Sequence, residues 1–333
     1  MTTSEIAVDT HAAELSPAGL RAAYTPWTPA LEMSAKVLLA VSFGGQPAGQ
    51  GSVRVPLEPI VGRGLAEVWY AHGDVTRGAT ASISFSADDH FLAGAIEVDE
   101  ARHGGIEGAA AFAYHEVSTL QERSNYPHLL RTWNHVDAIN VGDGDAERYR
   151  AFCSGRVAGL GRTLTQYPAA TVIGRRDGER VLQVYWLAGR RPGIALENPR
   201  QLPAYQYPRQ YGQTSPTFSR AMLVSPDALL ISGTASIVGH ASLHPGSVAG
   251  QVDEILANLE TLISRAHAQS PLLPAKIGRN TLLKAYVRHR DDAVDVEQRL
   301  RAHLPADAAV LVLLGDVCRA DLLVEFECLH AAG

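Results

Sequence analysis

Polar and apolar residues alternate near the end of the chain, in the segment RADLLVEFEC at residues 319–328. One set of alternate positions is apolar, and it consists of Ala320, Leu322, Val324, Phe326 and Cys328. The other set is mostly charged, and it consists of Arg319, Asp321, Leu323, Glu325 and Glu327. Because strand side chains point to two faces in turn, this pattern predicts a β-strand from Arg319 onward. Its charged face either meets water or lines a pocket in which a proton is needed.

The same order of elements is predicted twice along the chain: strand, helix, strand, helix, strand, strand. In the first half these are residues 80–98, 104–122, 128–136, a helix opened by DGDAERYRAF, and the strands AATVIGRR and RVLQVYWLAG. In the second half they are residues 229–239, GSVAGQVDEILANLETLISRAHA, TLLKAYVRHR, DDAVDVEQRLRAHL, AAVLVLLGDV and ADLLVEFECL. The copies are roughly 140–150 residues apart, longer than a solenoid repeat, which indicates two copies of one domain.

We therefore predict an α+β protein of two tandem domains, each with a mixed β-sheet backed by helices. The Pro-rich segment at residues 189–212 joins them, because its prolines break both helices and strands. The expected divisions are a flexible N-terminal tail at residues 1–25, one domain at 26–192 and a second at 193–333. Clefts between packed domains are common ligand sites, so we expect the active site there.

Length and charge agree with this organisation and exclude several classes of partner. The 333 residues exceed the roughly 250–300 that one core usually serves. The net charge is −6 without a basic stripe, so nucleic acid is not an expected partner. No apolar run approaches the roughly 20 residues that span a bilayer, and the N-terminus does not resemble a signal peptide. We expect no membrane association.

Cysteines, histidines and motifs indicate neither a metal nor a cofactor. The three cysteines, Cys153, Cys318 and Cys328, lack CxxC spacing, which favours reduced thiols in a cytoplasm over a disulfide framework or a zinc site. The 13 histidines are scattered without metal-ligand spacing. There is no GxGxxG or GxxxxGK[ST] for nucleotide phosphates, no HExxH and no GxSxG.

Arg156 is the first candidate binding residue. In the helix ERYRAFCSGRVAGL it falls on the apolar stripe, at helical spacing from Phe152 and Leu160. A buried guanidinium stays charged and needs a partner. That partner is either a carboxylate of the chain itself or a substrate carboxylate held bidentately, unless the side chain extends to solvent.

Two further candidates lie in YQYPRQYG and in the terminal strand. Tyr205, Tyr207 and Tyr211 surround Arg209 in the joining segment, a combination suited to an anionic ring compound. The alternative is an ordinary linker with Arg209 in solvent. In the terminal strand, a buried Glu325 would have a raised pKa and could donate a proton, whereas an edge strand would leave it in water.

Six separated blocks of this sequence resemble the chorismatases: SNYPHLLRTWNHV, ERYRAFCSGR, YQYPRQYG, TFSRA, LLISGTASIVGH and VCRADLLVEFE. Chorismatases are actinobacterial enzymes of secondary metabolism that remove pyruvate from chorismate, and they are similar to two fused RidA-like domains. The resemblance begins near residue 30. The segment ADLLVEFE is also similar to the end of RidA-type imine deaminases. Their arginine position is Ala320 here, which argues against imine-deaminase activity.

The resemblance implies roles for named residues. Chorismate is a dianion, so Arg156 and Arg209 would each hold one carboxylate, assisted by the hydroxyls of Tyr205 and Tyr211. Glu325 would be the acid that acts on the enolpyruvyl ether. No metal and no organic cofactor is implied, and a monomer or a small homo-oligomer would both be compatible.

The resemblance also bears on the product. Family members that form 3-hydroxybenzoate resemble this chain in a glycine of SIVGH, here Gly239, and a cysteine of VCRADLLVE, here Cys318. We therefore expect 3-hydroxybenzoate and pyruvate. The alternatives are hydrolysis to 3,4-dihydroxycyclohexa-1,5-dienecarboxylate, formation of 4-hydroxybenzoate, and a non-catalytic RidA-like protein that binds a small anion.

Overall fold

A computed structural model describes residues 19–44, 52–161 and 166–332. Their strands form three large sheets, and the four longer helices cover the outer faces of two of these sheets. Smaller elements are a one-turn helix, α1 (Ala30–Met33), and a ribbon of β15 (Ile237–Val238) and β16 (Ala241–Ser242). Among the described residues, none of the helices combines the length and apolar character that crossing a membrane requires.

The first sheet has four strands and was not predicted. They are β1 (Arg21–Pro26), β2 (Val37–Phe43), β3 (Ser52–Val55) and β5 (Leu65–Tyr70), in the order β1-β5-β2-β3. The tail predicted at residues 1–25 therefore extends too far. Its last residues pair with β5, and the Tyr24 hydroxyl donates to the Leu283 carbonyl at 3.1 Å, which ties β1 to the third sheet. Residues 1–18 of that tail lie outside the described residues.

The second sheet has six strands, covered on one face by α2 (Ile106–Arg123) and α3 (Arg148–Leu160). The strands are β6 (Thr76–Ala79), β7 (Ile83–Ala87), β8 (Phe91–Asp99), β9 (His128–Asp137), β10 (Ala169–Arg175) and β11 (Val181–Gly189), in the order β10-β9-β11-β8-β7-β6. The single strand predicted at residues 80–98 is a hairpin. The Asp88 carboxylate accepts the backbone N–H groups of His90 and Phe91 and turns the chain there.

The third sheet has seven strands, covered by α4 (Val248–Gln269) and α5 (Ala293–His303). Six strands come from the C-terminal half: β12 (Ile194–Leu196), β13 (Ala221–Ser225), β14 (Ala228–Ala235), β17 (Thr281–Val287), β18 (Ala309–Leu314) and β19 (Val324–Ala331). The seventh, β4 (Glu58–Val61), pairs with β18, so the order is β12-β13-β14-β19-β17-β18-β4. Helix α4 begins where Ser247 Oγ accepts the Gly250 N–H at 3.2 Å.

The two larger sheets repeat one topology. In each, a parallel pair (β9 and β10, or β17 and β18) adjoins an antiparallel strand (β11 or β19), which pairs in turn with β8 or β14. The duplication predicted from the order of elements is therefore visible in the strand pairing. The predicted boundary after residue 192 falls between β11 and β12. Strand β4 precedes this boundary in sequence but pairs within the third sheet, so the strand pairing does not follow the boundary completely.

All three sheets contribute side chains to one shared hydrophobic core. Its largest rings are Trp69, Trp133, Tyr185 and Tyr286. Trp133 stacks on Tyr185 with ring centroids 4.8 Å apart and meets the edge of Trp69 at 5.5 Å. Strand β19 lies between β14 and β17, so both of its edges are hydrogen-bonded and it is not an edge strand. The side chains of Glu325 and Glu327 on this strand are both buried.

Candidate active site

A cavity of about 480 Å³ lies where the second sheet meets the third. One wall comes from the start of α3 and from β10, and the other from β14, β19 and the turn that precedes β19. Its charged lining residues are Glu147, Arg150, Arg220, Arg319, Asp321 and Glu325. This is the junction of the two repeated units, where the sequence predicted a cleft.

Glu325 is the buried acid of the cavity, with only 5% of its surface exposed. It lies on β19, opposite Ala235 of β14 and Tyr286 of β17. Burial, and then the neighbouring Glu327 carboxylate, raise the pKa of Glu325 to about 8, against the opposing influence of cations that include Arg220. Near neutral pH the Glu325 carboxyl therefore holds a proton that it can donate.

Arg220 is a buried cation at the same cavity, 3% exposed. Its Nη2 donates to the Tyr207 hydroxyl and to the Leu202 carbonyl, both at 2.8 Å, and its Cζ lies 5.1 Å from the centre of the Phe218 ring. Within the described residues, its Nε has no hydrogen-bond partner and no carboxylate forms an ion pair with it. Burial raises the pKa of the nearby Glu197 to about 7 although Arg220 acts to lower it, and this carboxyl is not within ion-pair distance of Arg220. A buried guanidinium whose hydrogen-bond partners are neutral is suited to bind an anion.

Arg319 provides a second guanidinium. Its Cζ lies 3.9 Å above the ring of Tyr211 and 5.2 Å from that of Tyr207. Its Nη1 donates to the His240 carbonyl at 2.9 Å and to Ser242 Oγ at 3.2 Å. Tyr207 thus contacts both guanidinium groups. Cations stacked on aromatic rings keep their planes fixed, which favours the recognition of planar carboxylates.

The turn before β19 carries Cys318 and Arg319 into the cavity, and Arg288 holds this turn. A guanidinium has five N–H groups. Those of Arg288 donate at 2.6–3.1 Å to the carbonyls of Val317, Arg319 and Leu322 and to the side chains of Asn140 and Asp316. The strand predicted from Arg319 onward therefore begins only at Val324.

In the parts of the chain that the structure describes, no three His, Cys, Asp or Glu side chains are grouped so as to hold a metal ion. The thiols of Cys153, Cys318 and Cys328 are all free. The chemistry of the cavity is therefore argued from its carboxyl, guanidinium and phenol groups.

Comparison with known proteins gives the family. The model described as "Chorismatase FkbO/Hyg5-like, N-terminal" matches residues 67–188. A chorismatase of Streptomyces rapamycinicus is 36% identical over 284 residues, which are 79% of this chain and 81% of that protein. This chain belongs to the chorismatase family. A 3-hydroxybenzoate synthase of Streptomyces hygroscopicus is 35% identical over 277 residues, 79% of this chain and 80% of that protein.

A solved structure gives the same result for the fold. A crystal structure of a chorismatase superposes with a TM-score of 0.82 at 34% identity, covering 94% of this chain and 98% of the other. The resemblance drawn from six sequence blocks and the predicted α+β class are therefore confirmed.

Three of the residues that the chorismatase resemblance singled out line the cavity: Glu325, Tyr211 and Cys318. Tyr211 is the residue on which Arg319 stacks, and its hydroxyl lies 3.2 Å from His240 Nδ1. Burial raises the pKa of the Cys318 thiol to about 12, so it is a neutral, weakly polar part of the wall.

Arg156 is buried as predicted but lies away from the cavity lining. It is 2% exposed, and its Cζ lies 4.9 Å from the centre of the Tyr114 ring. Its Nη2 is 3.4 Å from Thr132 Oγ1. The sequence argument assumed that a buried guanidinium requires an anion, whereas the face of Tyr114 supplies the contact here.

Arg209 and Tyr205 also lie outside the cavity lining. Two nitrogens of Arg209 bind the two carboxylate oxygens of Asp145 at 2.9 and 2.6 Å, and its side chain is 66% exposed. Tyr205 is 38% exposed, with its ring centroid 5.3 Å from that of Tyr167. Arg209 therefore fastens the joining segment to the turn before α3.

Gly239 is not among the residues that line the cavity. It occupies a turn at φ +58°, and an added Cβ would meet no atom within 4 Å. Gly233 on β14 lines the cavity instead, and a Cβ there would lie 2.0 Å from Glu325 Oε1. The glycine next to the acid is thus six residues earlier in the same sequence block.

Sequence reasoning missed the roles of Arg220, Tyr207 and Gly233. Arg220 lies in TFSRA, immediately before the apolar strand β13, and a single cation in that setting is a signal of burial. Glycine inside a strand, as at Gly233, commonly marks a close approach by another group. Tyr207 carries no signal that separates it from its neighbouring tyrosines.

Proposed function

We propose that this chain releases pyruvate from chorismate, with Glu325 as the proton donor. The observation that carries the proposal is a buried carboxyl with a raised pKa in a cavity with two guanidinium groups, Arg220 and Arg319, whose hydrogen-bond partners are neutral. Relatives named chorismatase and 3-hydroxybenzoate synthase support the same chemistry.

The cavity suits a small dianion. Its volume of about 480 Å³ is within the range of small-ligand pockets. Arg220 binds one carboxylate of chorismate and Arg319 binds the other, and the Tyr207 hydroxyl lies between them. Arg150, the remaining cation of the lining, is already paired with Glu147 at 2.9 Å. Arg220 and Arg319 thus replace Arg156 and Arg209 in the roles that the resemblance implied.

Proton transfer starts the reaction. Glu325 protonates the terminal carbon of the enolpyruvyl group, which becomes the methyl group of pyruvate. The bond between the ether oxygen and the ring breaks, and an oxygen nucleophile takes the vacated ring carbon. If this is the neighbouring ring hydroxyl, it releases its proton and bridges the two ring carbons as an epoxide. The original bond of that oxygen to the ring then breaks, and the carbon that keeps the oxygen loses its ring proton to give an aromatic product. Of the two protons released, one ends on the phenol oxygen and the other restores Glu325. If it is water, the product is the dihydroxy acid.

We infer that the product is 3-hydroxybenzoate. A relative of 35% identity is named 3-hydroxybenzoate synthase. The absence of a side chain at Gly233 lets the Glu325 carboxyl pack directly against the backbone of β14, and Cys318 adds a neutral thiol to the lining of the same cavity. A wall of this kind offers an attacking water few hydrogen-bond partners, which favours attack by the ring hydroxyl.

Turnover of chorismate tests the proposal. Pyruvate release is followed with lactate dehydrogenase, and the ring product is identified by chromatography. Glu325→Gln keeps the shape of the side chain but has no acid proton, so we expect a loss of at least about a hundredfold in kcat. Glu260→Gln, at an exposed carboxyl on α4, is the matched control. Absence of pyruvate release by the unaltered protein, or an unchanged rate in Glu325→Gln, would refute the proposal.

A further inference from the structure

Four charged side chains are buried together on the core side of Glu325. They are Glu67, Arg131, Lys284 and Glu327, each at most 4% exposed. Glu327 receives hydrogen bonds from Arg131 Nη2 at 2.8 Å, Lys284 Nζ at 2.8 Å and Trp133 Nε1 at 2.9 Å. Lys284 also pairs with Glu67. Burying four charges is costly, and an apolar core of the same volume would serve stability equally well.

This cluster is adjacent to the active-site acid. Glu325 and Glu327 are two residues apart on β19, so their side chains share a face and lie roughly 6–7 Å apart along the strand. Thr171 Oγ1 accepts from Arg131 Nη2 at 2.6 Å and from the Gly233 N–H at 2.9 Å. Gly233 is the residue packed against the Glu325 carboxyl. A continuous set of contacts therefore joins the cluster to the cavity.

The two carboxyls of β19 differ in their partners. The donors around Glu327 are two cations, an indole and the Thr171 hydroxyl. Among the described residues, no donor is hydrogen-bonded to the Glu325 carboxyl. Burial alone would raise the pKa of Glu327, but Lys284 and Arg131 outweigh it and lower that pKa to about 2. Glu327 is thus a permanent negative charge beside a carboxyl without a cation of its own.

We infer that Glu327 is a positioning residue for the reaction: held ionised by Arg131 and Lys284, it keeps the Glu325 carboxyl protonated for transfer to substrate. The inference rests on the proposed role of Glu325. Arg131 binds Glu327 and Thr171 through Nη2, and its Nη1 has no hydrogen-bond partner among the described residues. Arg131 also acts on Glu325 and lowers its pKa, but in the described part of the chain no hydrogen bond or ion pair joins these two side chains, so the influence of Glu327 prevails.

The other titratable groups near the two carboxyls leave this picture unchanged. On the core side these are Tyr24, His135, Tyr185, Tyr286 and Cys328. Burial raises the pKa of the tyrosines and of the thiol and lowers that of His135 to about 3, so all five are neutral near pH 7. On the cavity side they are Tyr149, Arg220, Cys318 and Arg319. Arg131 in the cluster and Arg220 in the cavity oppose Glu327, because each lowers the pKa of Glu325. A substrate carboxylate bound to Arg220 reduces the opposition from the cavity side.

The inference is tested by titrating Glu325 itself. Infrared difference spectra over pH follow the protonated-carboxyl band, which is identified by its loss in Glu325→Gln. We expect Glu327→Gln to lower the pKa of Glu325 by at least one pH unit, a tenfold change in its acid dissociation constant. Arg131→Met removes a cation and leaves Glu327 paired with Lys284, so it should raise that pKa. Glu327→Asp should restore it to within half a unit.

Glu67→Gln is the matched control, because it removes the same charge from the same cluster at the end remote from Glu325. It should change the pKa of Glu325 by less than half a unit. An unchanged pKa in folded Glu327→Gln, or a shift in the same direction in Glu327→Gln and Arg131→Met, would overturn the inference. If Glu327→Gln does not fold, the double variant Arg131→Met/Glu327→Gln, which removes one charge of each sign, is compared with Arg131→Met. The pKa of Glu325 should be lower in the double variant, and equal values would overturn the inference.

Turnover separates this inference from the proposed function. The alkaline limb of kcat/KM should move with the Glu325 pKa in each variant, an effect that a merely structural cluster would not produce. If the pKa of Glu325 shifts as expected while Glu325→Gln retains full turnover, the proposed role of Glu325 is wrong and the coupling between the two carboxyls stands. If the limb moves without any shift in the pKa of Glu325, the coupling is wrong.

Discussion

The guanidinium groups near the cavity differ in their partners. Arg150 is paired with Glu147 and Arg209 with Asp145, whereas Arg220 and Arg319 contact only carbonyls, hydroxyls and aromatic rings among the described residues. A guanidinium that already holds a carboxylate gains little from a second one, since the first must be displaced. The unpaired state of Arg220, more than its charge, is what makes it a binding group.

Exchanging arginines for glutamine measures this difference. Arg220→Gln removes a charge-assisted contact of roughly 1.5–3 kcal/mol, so we expect the KM for chorismate to rise about 10–100-fold. Arg209→Gln is the matched control. It breaks an exposed ion pair and should change KM by less than about threefold. Steady-state kinetics of both variants provide the comparison, and a larger effect for Arg209 than for Arg220 would contradict the assignment.

Sequence predicts Glu325 because its signal is local: a carboxyl in an alternating strand, inside a block that resembles a family. The partner of Arg209 is not local. Asp145 is 64 positions away, and only the fold brings its carboxylate to Arg209. The same reason explains why the sequence does not distinguish Gly233 from Gly239. Both are glycines of one sequence block, and only the fold packs the Glu325 carboxyl against Gly233.

At the level of elements, the turn before β19 determines where Arg319 and Cys318 lie. Alternation in the sequence continues back to Arg319, yet the strand begins at Val324. Arg288 binds the carbonyls of three turn residues, which removes them from any β-ladder. Periodicity predicts the strand correctly but cannot predict its start, because Arg288, directly after β17, binds backbone carbonyls that a β-ladder would otherwise use.

Lysine at position 288 tests the role of the turn. Arg288→Lys keeps the charge but has three donors in place of the five that Arg288 uses, and unsatisfied buried carbonyls cost about 1–3 kcal/mol each. We expect the free energy of unfolding to fall by about 2–4 kcal/mol and kcat to fall with it. Arg176→Lys, which affects the same Asp316 from a half-exposed position, should cost less than about 1 kcal/mol. Urea unfolding of both variants gives the comparison, and equal losses would count against the account.

At the scale of the whole molecule, three sheets around one core bury Glu325, whose pKa is raised, and Glu327, whose pKa is lowered. Sequence predicts the duplicated sheets, since each has long strands and amphipathic helices. It misses the four-stranded sheet, because the helix that packs on this sheet, α1, has a single turn and gives no periodic signal. The sheet also depends on core contacts that are distant in sequence, such as Trp69 against Trp133. The same burial that builds the core raises the pKa of Glu325, so function is obtained at a cost in stability.

That cost has a definite pH dependence. The pKa of Glu325 is raised from 4.5 in the unfolded chain to about 8. Between these values the unfolded chain loses a proton that the folded protein retains, so stability falls as pH rises. Glu325→Gln lacks this proton and should be more stable than the unaltered protein by about 3 kcal/mol at pH 7.

Thermal or urea unfolding between about pH 5 and pH 8 measures the difference, which should grow steadily with pH. Glu260→Gln, the exposed control, should follow the unaltered protein throughout. A Glu325→Gln variant that is less stable at every pH would mean that Glu325 is ionised and paired in the folded state.

The central claim is that Glu325 reacts as an acid, and the pH dependence of kcat/KM for chorismate tests it most directly, because this quantity reports ionisations of the free enzyme. The account predicts a plateau at lower pH and a tenfold fall per unit above about pH 8, the pKa of Glu325. The residual activity of Glu325→Gln should show no such fall. A rate that stays constant or rises up to about pH 10 in the unaltered protein would contradict the account.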